Sequence, residues 1–239
     1  MTFERDLYDA SYYEGLHPHH WFRNPARKYF ERDRDVLRVV APGPADLVVE
    51  LGSARGDVSF LLSRRCRQVV GVDAAPEAIA MAETERRRRG IPNVRWLEAD
   101  VANLSAIEGG AVDAVAAIDL VEHIDDPTLR AMLSECRRIL KPGGRLGIYT
   151  PDRLHYVERM KAHGILLRQF PQHIAVRTAA AYRGFLEEEG FSLALDTWSV
   201  SPFPAVRIAE QLLAPLPLIG RTFRYRILMS AVSIGPAAR

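Results

Sequence analysis

The sequence predicts an α/β chain built on a doubly wound, mostly parallel sheet of seven strands. Three observations carry this. Short apolar runs alternate with helix-compatible stretches, the links between them are short, and glycine or proline stop signals fall at the joins. The run Leu47-Val48-Val49 leads through Glu50-Leu51-Gly52-Ser53-Ala54-Arg55-Gly56-Asp57 into a helical stretch over 58–65 and a second apolar run over 69–72 that ends on Asp73. Strand, glycine turn, helix, strand and acidic tip form the unit that holds a nucleotide-like ligand over the carboxyl edge of a parallel sheet.

The remaining elements follow the same rhythm. A helix is expected over 25–39, with Pro25 in its first turn, before Ala41-Pro42-Gly43-Pro44 breaks it. After Asp73 an alanine-rich helix from Pro76 runs to a stop at Gly90, and a third strand over 94–97 delivers Glu98-Ala99-Asp100. A fourth strand over 112–118 ends at Asp119-Leu120-Val121-Glu122-His123-Ile124, with Asp113 at its opposite, structural end. A helix over 127–140 stops at Lys141-Pro142-Gly143-Gly144, and a fifth strand over 145–149 follows. A helix over 179–190, a sixth strand over 191–200 and a last strand over 223–234 complete the chain.

Residues 1–45 are expected to form an N-terminal helical cap, and 46–239 the ligand-binding domain with substrate-side insertions around 152–177 and 202–222. The cap is dense in aromatic and imidazole side chains, including Tyr13, His20 and Trp21. It either packs on the open sheet edge or closes over the ligand, and both roles are compatible. The stretch 203–220 is apolar and punctuated by proline. It is expected to pack on its own domain, or to serve as a substrate wall, a dimer face or a shallow membrane contact.

Composition narrows the classes. At 239 residues the chain fits one large domain, with a hydrophobic fraction of 48% that is ordinary for a globular fold. A formal charge of +2 gives no reason to expect nucleic acid as a partner. Lys28, Lys141 and Lys161 are the only lysines, and Arg86 to Arg89 closes a helix, where cations suit the dipole. Cys66 and Cys136 fit no disulfide framework or paired metal spacing, so no metal is expected and a reducing compartment is. Met1 to Asp6 is too charged for a signal peptide core, and no run approaches a membrane-spanning length. A cytoplasmic location is therefore expected.

The first turn narrows the ligand. A dinucleotide site uses G-x-G-x-x-G with a pyrophosphate at the helix N-terminus. Here the pattern is Glu50-x-Gly52-x-x-x-Gly56, and an acid at that place suits an ammonium or sulfonium better than a phosphate. Asp73 is placed to accept from two ribose hydroxyls. Asp100 can accept from an adenine amino group or cap its own turn.

With these residues in view, the chain resembles the class I S-adenosylmethionine-dependent methyltransferases, in particular the group acting on small molecules and lipids. The likeness runs from about Leu47 to Phe191 and implies a Rossmann-like methyltransferase sheet whose last strand is antiparallel. It implies that Glu50, Gly52, Ser53 and Gly56 carry the methionine end of S-adenosylmethionine, that Asp73 and Ala74 hold the ribose, and that Asp100 and Val101 hold the adenine. Asp119 to Ile124 is similar to the motif lining the transfer site, with Asp119 facing the cofactor. Gln172-His173-Ile174 through Gly190-Phe191 resembles an H-x-x-x-x-T…E-x-G-F region whose histidine faces substrate. One departure stands out: the central glycine of the first motif is Ala54 here, which is tolerable in α or β backbone but not easily at positive φ.

The expected activity is methyl transfer to a small, apolar metabolite, at oxygen before nitrogen or carbon. His123 and His173 are the candidate bases, since an acceptor hydroxyl or amine must present a lone pair. For each, a structural role bonded to backbone is the plainer alternative. Tyr13, His20, Trp21 and His155 are candidate substrate contacts. The competing readings are a non-catalytic methyltransferase-like binding protein and an NAD-dependent oxidoreductase.

Overall fold

The computed structural model describes residues 25–165 and 168–234. Tyr13, His20 and Trp21 lie outside the described residues. The elements in order are α1 (Pro25–Val40), β1 (Leu47–Leu51), α2 (Asp57–Leu62), β2 (Gln68–Asp73), α3 (Pro76–Arg89), β3 (Val94–Glu98), β4 (Val112–Ile118), a 3-10 turn (Val121–His123), α4 (Asp126–Ile139), β5 (Leu140–Pro151), α5 (Tyr156–Ala162), α6 (Ala179–Glu188), β6 (Phe191–Ser199), α7 (Pro204–Leu213), a second 3-10 turn (Gly220–Phe223) and β7 (Arg226–Ser233). The strands form one seven-stranded sheet in the order β3-β2-β1-β4-β5-β7-β6. β1 to β5 pair in parallel, and β7 runs antiparallel to both β5 and β6.

The period of two along each strand divides the core between the two faces of the sheet. Val49, Leu51, Val70, Val72, Val115, Ala117, Leu146 and Ile148 point to one face, where α4 contributes Leu129, Met132, Leu133 and Cys136 and α6 contributes Tyr182 and Leu186. Val48, Val69, Ala114, Ala116, Ile118 and Tyr149 point to the other, covered by Val36, Val39 and Val40 of α1 and Val58, Phe60 and Leu62 of α2. Both cysteines are buried and free; Cys136 lies in α4, and Cys66 in the turn after α2.

The strand order reverses direction between β1 and β4, so the crevice at their carboxyl ends is the ligand position of an open α/β sheet. Asp113, at the other end of β4, accepts from the Leu47 amide at 2.9 Å and pairs with Lys141, a structural role. Among the described residues no helix is long and apolar enough to cross a membrane.

The cap helix is seated through a close approach. Gly147 of β5 lies under α1, and a Cβ there would come within 2.8 Å of the Val39 carbonyl carbon and oxygen. Backbone atoms of a packed helix cannot yield as a side chain can. Gly147→Ala is therefore expected to lower the unfolding free energy by about 1–3 kcal/mol, measured by urea denaturation. An unchanged midpoint would show that α1 shifts freely on the sheet.

Candidate active site

The turn after β1 is a tight backbone structure. Gly52 takes φ +67°, and a Cβ there would stand 2.8 Å from Leu120 Cδ1 at the tip of β4. The Ser53 amide donates to Val72 O at 2.9 Å, which locks the turn to β2. Gly56 takes φ +85°, and its missing side chain makes room for Trp96 of β3, whose ring would lie 2.4 Å from a Cβ.

Ala54 adopts the left-handed conformation, at φ +45°. Such a conformation costs an alanine roughly 1–2 kcal/mol. The turn holds it there through Asp73, whose Oδ2 accepts from the Ala54 amide at 2.8 Å while Oδ1 accepts from the Ala75 amide at 3.0 Å. Burial raises the Asp73 pKa, and the backbone donors pull it back.

The other acids of the turn region have separate surroundings. Asp100 is exposed after β3 and its Oδ1 accepts from the Ala102 amide at 2.9 Å, so it caps its own turn, beside buried Val101. Glu50 points under α2, where Ser59 Oγ donates to its Oε2, and only 4% of it is exposed. Burial pushes its pKa up to about 8, with Ser59 and Arg32 opposing. The fold thus places Glu50 against a helix, in neutral form below that pH.

Whether S-adenosylmethionine fits can be tested on two features. Ser53 Oγ is buried without a hydrogen-bond partner in the turn assigned to the methionine end. Each Asp73 carboxylate oxygen offers more than one acceptor site, so backbone donors do not exhaust it. Both features suit a ligand with hydroxyl and ammonium donors, and the residues fit the cofactor.

Beyond the turn, the tip of β4 carries a network that the sequence did not signal. Asp119 takes φ +51° and accepts from Arg32 Nε of α1 at 3.0 Å and Arg226 of β7 at 3.0 Å. Glu122, beside it, is buried and accepts from Thr150 Oγ1 of β5 at 2.9 Å. Burial, reinforced by Asp119, pushes the Glu122 pKa up to about 8.

The structure brings His123 and His173 together, with ring centroids 4.8 Å apart and planes nearly perpendicular. Arg177 fastens the two segments: its guanidinium donates to the carbonyls of Val121 and Ile124, each at 2.8 Å, and to Asp126. His123 also bonds the Gln172 carbonyl. Burial lowers both imidazole pKa values, that of His173 to about 4 with help from His123 and Arg226. Glu122, His123 and His173 each offer one ligand atom, all within 4.8 Å of one another, a set compatible with a metal ion that no local spacing announces.

A cavity of about 510 Å³ is lined by His173 together with Arg153, Glu158, Gln169, Ile174 and Phe185 among others. His155 is placed differently. It is 1% exposed and its Nε2 meets Glu210 Oε1 of α7 at 3.1 Å, in the seam between the two insertions.

The mostly parallel seven-stranded sheet with antiparallel β7, the glycine turn and the acids after β2 and β3 define a class I methyltransferase fold. A family model described as a methyltransferase domain matches residues 48–144. A ubiquinone biosynthesis O-methyltransferase of Xanthomonas axonopodis pv. citri (strain 306) is 34% identical over 106 residues, covering 44% of this chain and 43% of that protein. One of Xanthomonas campestris pv. campestris (strain B100) is 32% identical over 130 residues, covering 54% and 51%. The chain thus matches about half the length of these relatives. Among solved structures, a SAM-dependent methyltransferase from Aquifex aeolicus superposes with TM-score 0.66 at 15% identity, covering 94% of this chain and 98% of that one. Geranyl diphosphate C-methyltransferase from Streptomyces coelicolor A3(2) gives TM-score 0.63 at 19% identity, covering 85% and 80%. Over residues 48–144 the chain is thus similar to methyltransferase domains, and its sheet has the class I methyltransferase fold, whose cofactor S-adenosylmethionine fits the residues of the first turn.

The buried carboxyl of Glu50 gives a pH signature. Its folded pKa lies above the unfolded value of 4.5, so the folded state binds the extra proton and stability falls as pH rises from 4.5 toward about 8. Each such group contributes a slope of at most about 1.4 kcal/mol per pH unit. Glu50→Gln, which keeps an acceptor for Ser59, is expected to flatten the decline in melting temperature between pH 5 and pH 8 (about that range). Parallel curves for the two proteins would show Glu50 ionised in the fold.

Proposed function

We propose that the protein transfers the methyl group of S-adenosylmethionine to an oxygen of a small, apolar acceptor, with His123 and His173 at the transfer site. The observation that carries this is the meeting of two neutral imidazoles, 4.8 Å apart, beside the tip of β4 at the sheet's switch point. The Xanthomonas relatives are named as O-methyltransferases, which supports oxygen as the acceptor atom. The Streptomyces structure is named for geranyl diphosphate, which supports an acceptor with an apolar part.

When bound, the cofactor supplies an electrophilic methyl carbon. The chain's own part is to orient the acceptor and accept its proton. In this reading Gly52, Ser53 and Gly56 hold the methionine end, Asp73 and Ala74 the ribose, Asp100 and Val101 the adenine, and Asp119 borders the transfer site. His123 donates one ring N–H to the Gln172 carbonyl, which sets the tautomer so that the other ring nitrogen carries a lone pair. Burial keeps that ring neutral at pH near 7 and so competent to take a proton from an acceptor hydroxyl. His173 packs edge to face on it and, with the Arg177 clamp, restricts where that acceptor can lie. Methyl transfer needs alignment above all, and alignment is what this packing provides.

Two measurements test the reading. His123→Ala and His173→Ala are each expected to reduce turnover at least about tenfold while the Kd for S-adenosylhomocysteine stays within about twofold. Turnover within twofold of the parent in both variants would remove the imidazoles from the mechanism. Asp73→Asn is expected to weaken S-adenosylhomocysteine binding at least about tenfold by calorimetry, and unchanged affinity would sink the cofactor assignment of that carboxylate.

A further inference from the structure

The described residues expose eleven large hydrophobic side chains, and nine of them belong to the two insertions: Ile165, Phe170 and Ile174 after β5, and Phe203, Ile208, Leu212, Leu216, Leu218 and Ile219 after β6. The insertions pack on each other. His155 and Tyr156 of the first meet Glu210 of the second, and Tyr156 stacks toward Phe223 at 6.0 Å.

α7 is turned the unusual way round for a surface helix. Ile208 and Leu212, four residues apart and so on one face, are 60% and 70% exposed, while Glu210 on the opposite face is buried. Glu210 is held there by His155, Tyr156 and the Ser201 amide. The loop that follows carries Leu218, 94% exposed.

The charges show the same inversion. Across 152–177 and 202–222 the acids are Asp152, Glu158 and Glu210, and all three are buried. The exposed charged residues of these segments are Arg153, Arg159, Arg168 and Arg221. Every carboxylate points in and only cations face out, in a chain whose overall formal charge is just +2.

We propose that this face docks on an anionic lipid bilayer surface, with Ile208, Leu212 and Leu218 entering the acyl boundary and the arginines at the headgroups. An exposed apolar helix stripe in segments whose exposed charges are all cationic is the pattern of an interfacial surface. A second copy of the chain fits less well. Across a two-fold axis the exposed arginines would approach one another, and these segments present no carboxylate to meet them. The proposal is independent of which acceptor the enzyme methylates, so the vesicle assay and the turnover assay fail separately.

The test is cosedimentation of the full chain with phosphatidylcholine vesicles containing about 30% phosphatidylglycerol, against phosphatidylcholine alone. The expected result is a bound fraction at least about fivefold higher on the anionic vesicles, reversed by salt near 0.5 M (roughly, where the screening length is short). The double variant Ile208→Glu with Leu212→Glu, and separately Leu218→Glu, are expected to lower binding at least about tenfold. All three side chains are exposed, so the melting temperature and S-adenosylhomocysteine affinity should be retained; Leu218→Glu, in the loop, covers the case in which the helix variant misfolds. Absence of binding to anionic vesicles, or binding undiminished by Leu218→Glu, overturns the proposal. A dimer in sedimentation velocity that the same variants dissolve also overturns it and assigns the face to a second copy.

Discussion

The carboxylate of Asp73 holds two turns at once, and the rest of the site depends on that. One oxygen takes the Ala54 amide and the other takes the Ala75 amide, which ties the loop after β1 to the loop after β2. A left-handed alanine would otherwise relax, and the loop would lose its path past Leu120. Backbone donors to a buried carboxylate are strong because the surroundings screen little. The acid assigned to ribose is thus also what makes Ala54 tolerable where a glycine would be easier. The departure in the first motif and the acid at the end of β2 are two parts of one arrangement.

The segments that carry His123 and His173 are joined by a different device. No regular element carries His123 and His173; one sits in a 3-10 turn and the other in a loop. Their proximity is set by Arg177, whose donors reach the carbonyls of Val121, Ala175 and Ile124. The amide of Ala175 donates in turn to Glu122 O at 3.0 Å. Backbone carbonyls that would be unsatisfied in an irregular segment are thereby used to join it to its neighbour. Such a site is tied together without being built on a helix or strand.

Much of this was legible beforehand, and the failures have physical reasons. The strand over 112–118 has the expected bounds because buried β-branched and alanine residues run between clear breaks. The Lys141 to Gly144 stop signal is real, with Gly143 at φ +77°, yet β5 begins at Leu140 and pairs with Val112 before the register shifts to Arg145 and Ala114. A stop signal and a bulged strand have similar compositions, so sequence could not separate them. The helix in 204–213 was hidden because prolines punctuate the apolar run around it, and its two-sided pattern would by the usual rule have turned Ile208 and Leu212 inward and Glu210 outward, the reverse of what the fold does. Arg32 and Arg226 gave no signal at all: in a chain of 32 basic residues with three lysines, no arginine looks special until a partner such as Asp119 is placed beside it.

Glu50 shows why residue type and position do not by themselves fix electrostatics. In sequence it reads as a negative charge at the turn, chosen to meet a cationic ligand and to repel phosphate. In the fold it is buried beneath α2 with Ser59 as its donor, and burial raises its pKa to about 8, so near neutral pH it is largely uncharged. Repulsion of a phosphate by this side chain is weakened accordingly. The backbone of the turn differs from a dinucleotide turn in other ways: the spacing from Gly52 to Gly56, the left-handed Ala54 between them, and Trp96 in the space that Gly56 leaves open. A pyrophosphate needs close approach to the helix N-terminus. Gly56 lies there, and Trp96 packs in the space its missing side chain leaves, beside Phe60 of the same helix, an arrangement that persists whatever the protonation state of Glu50.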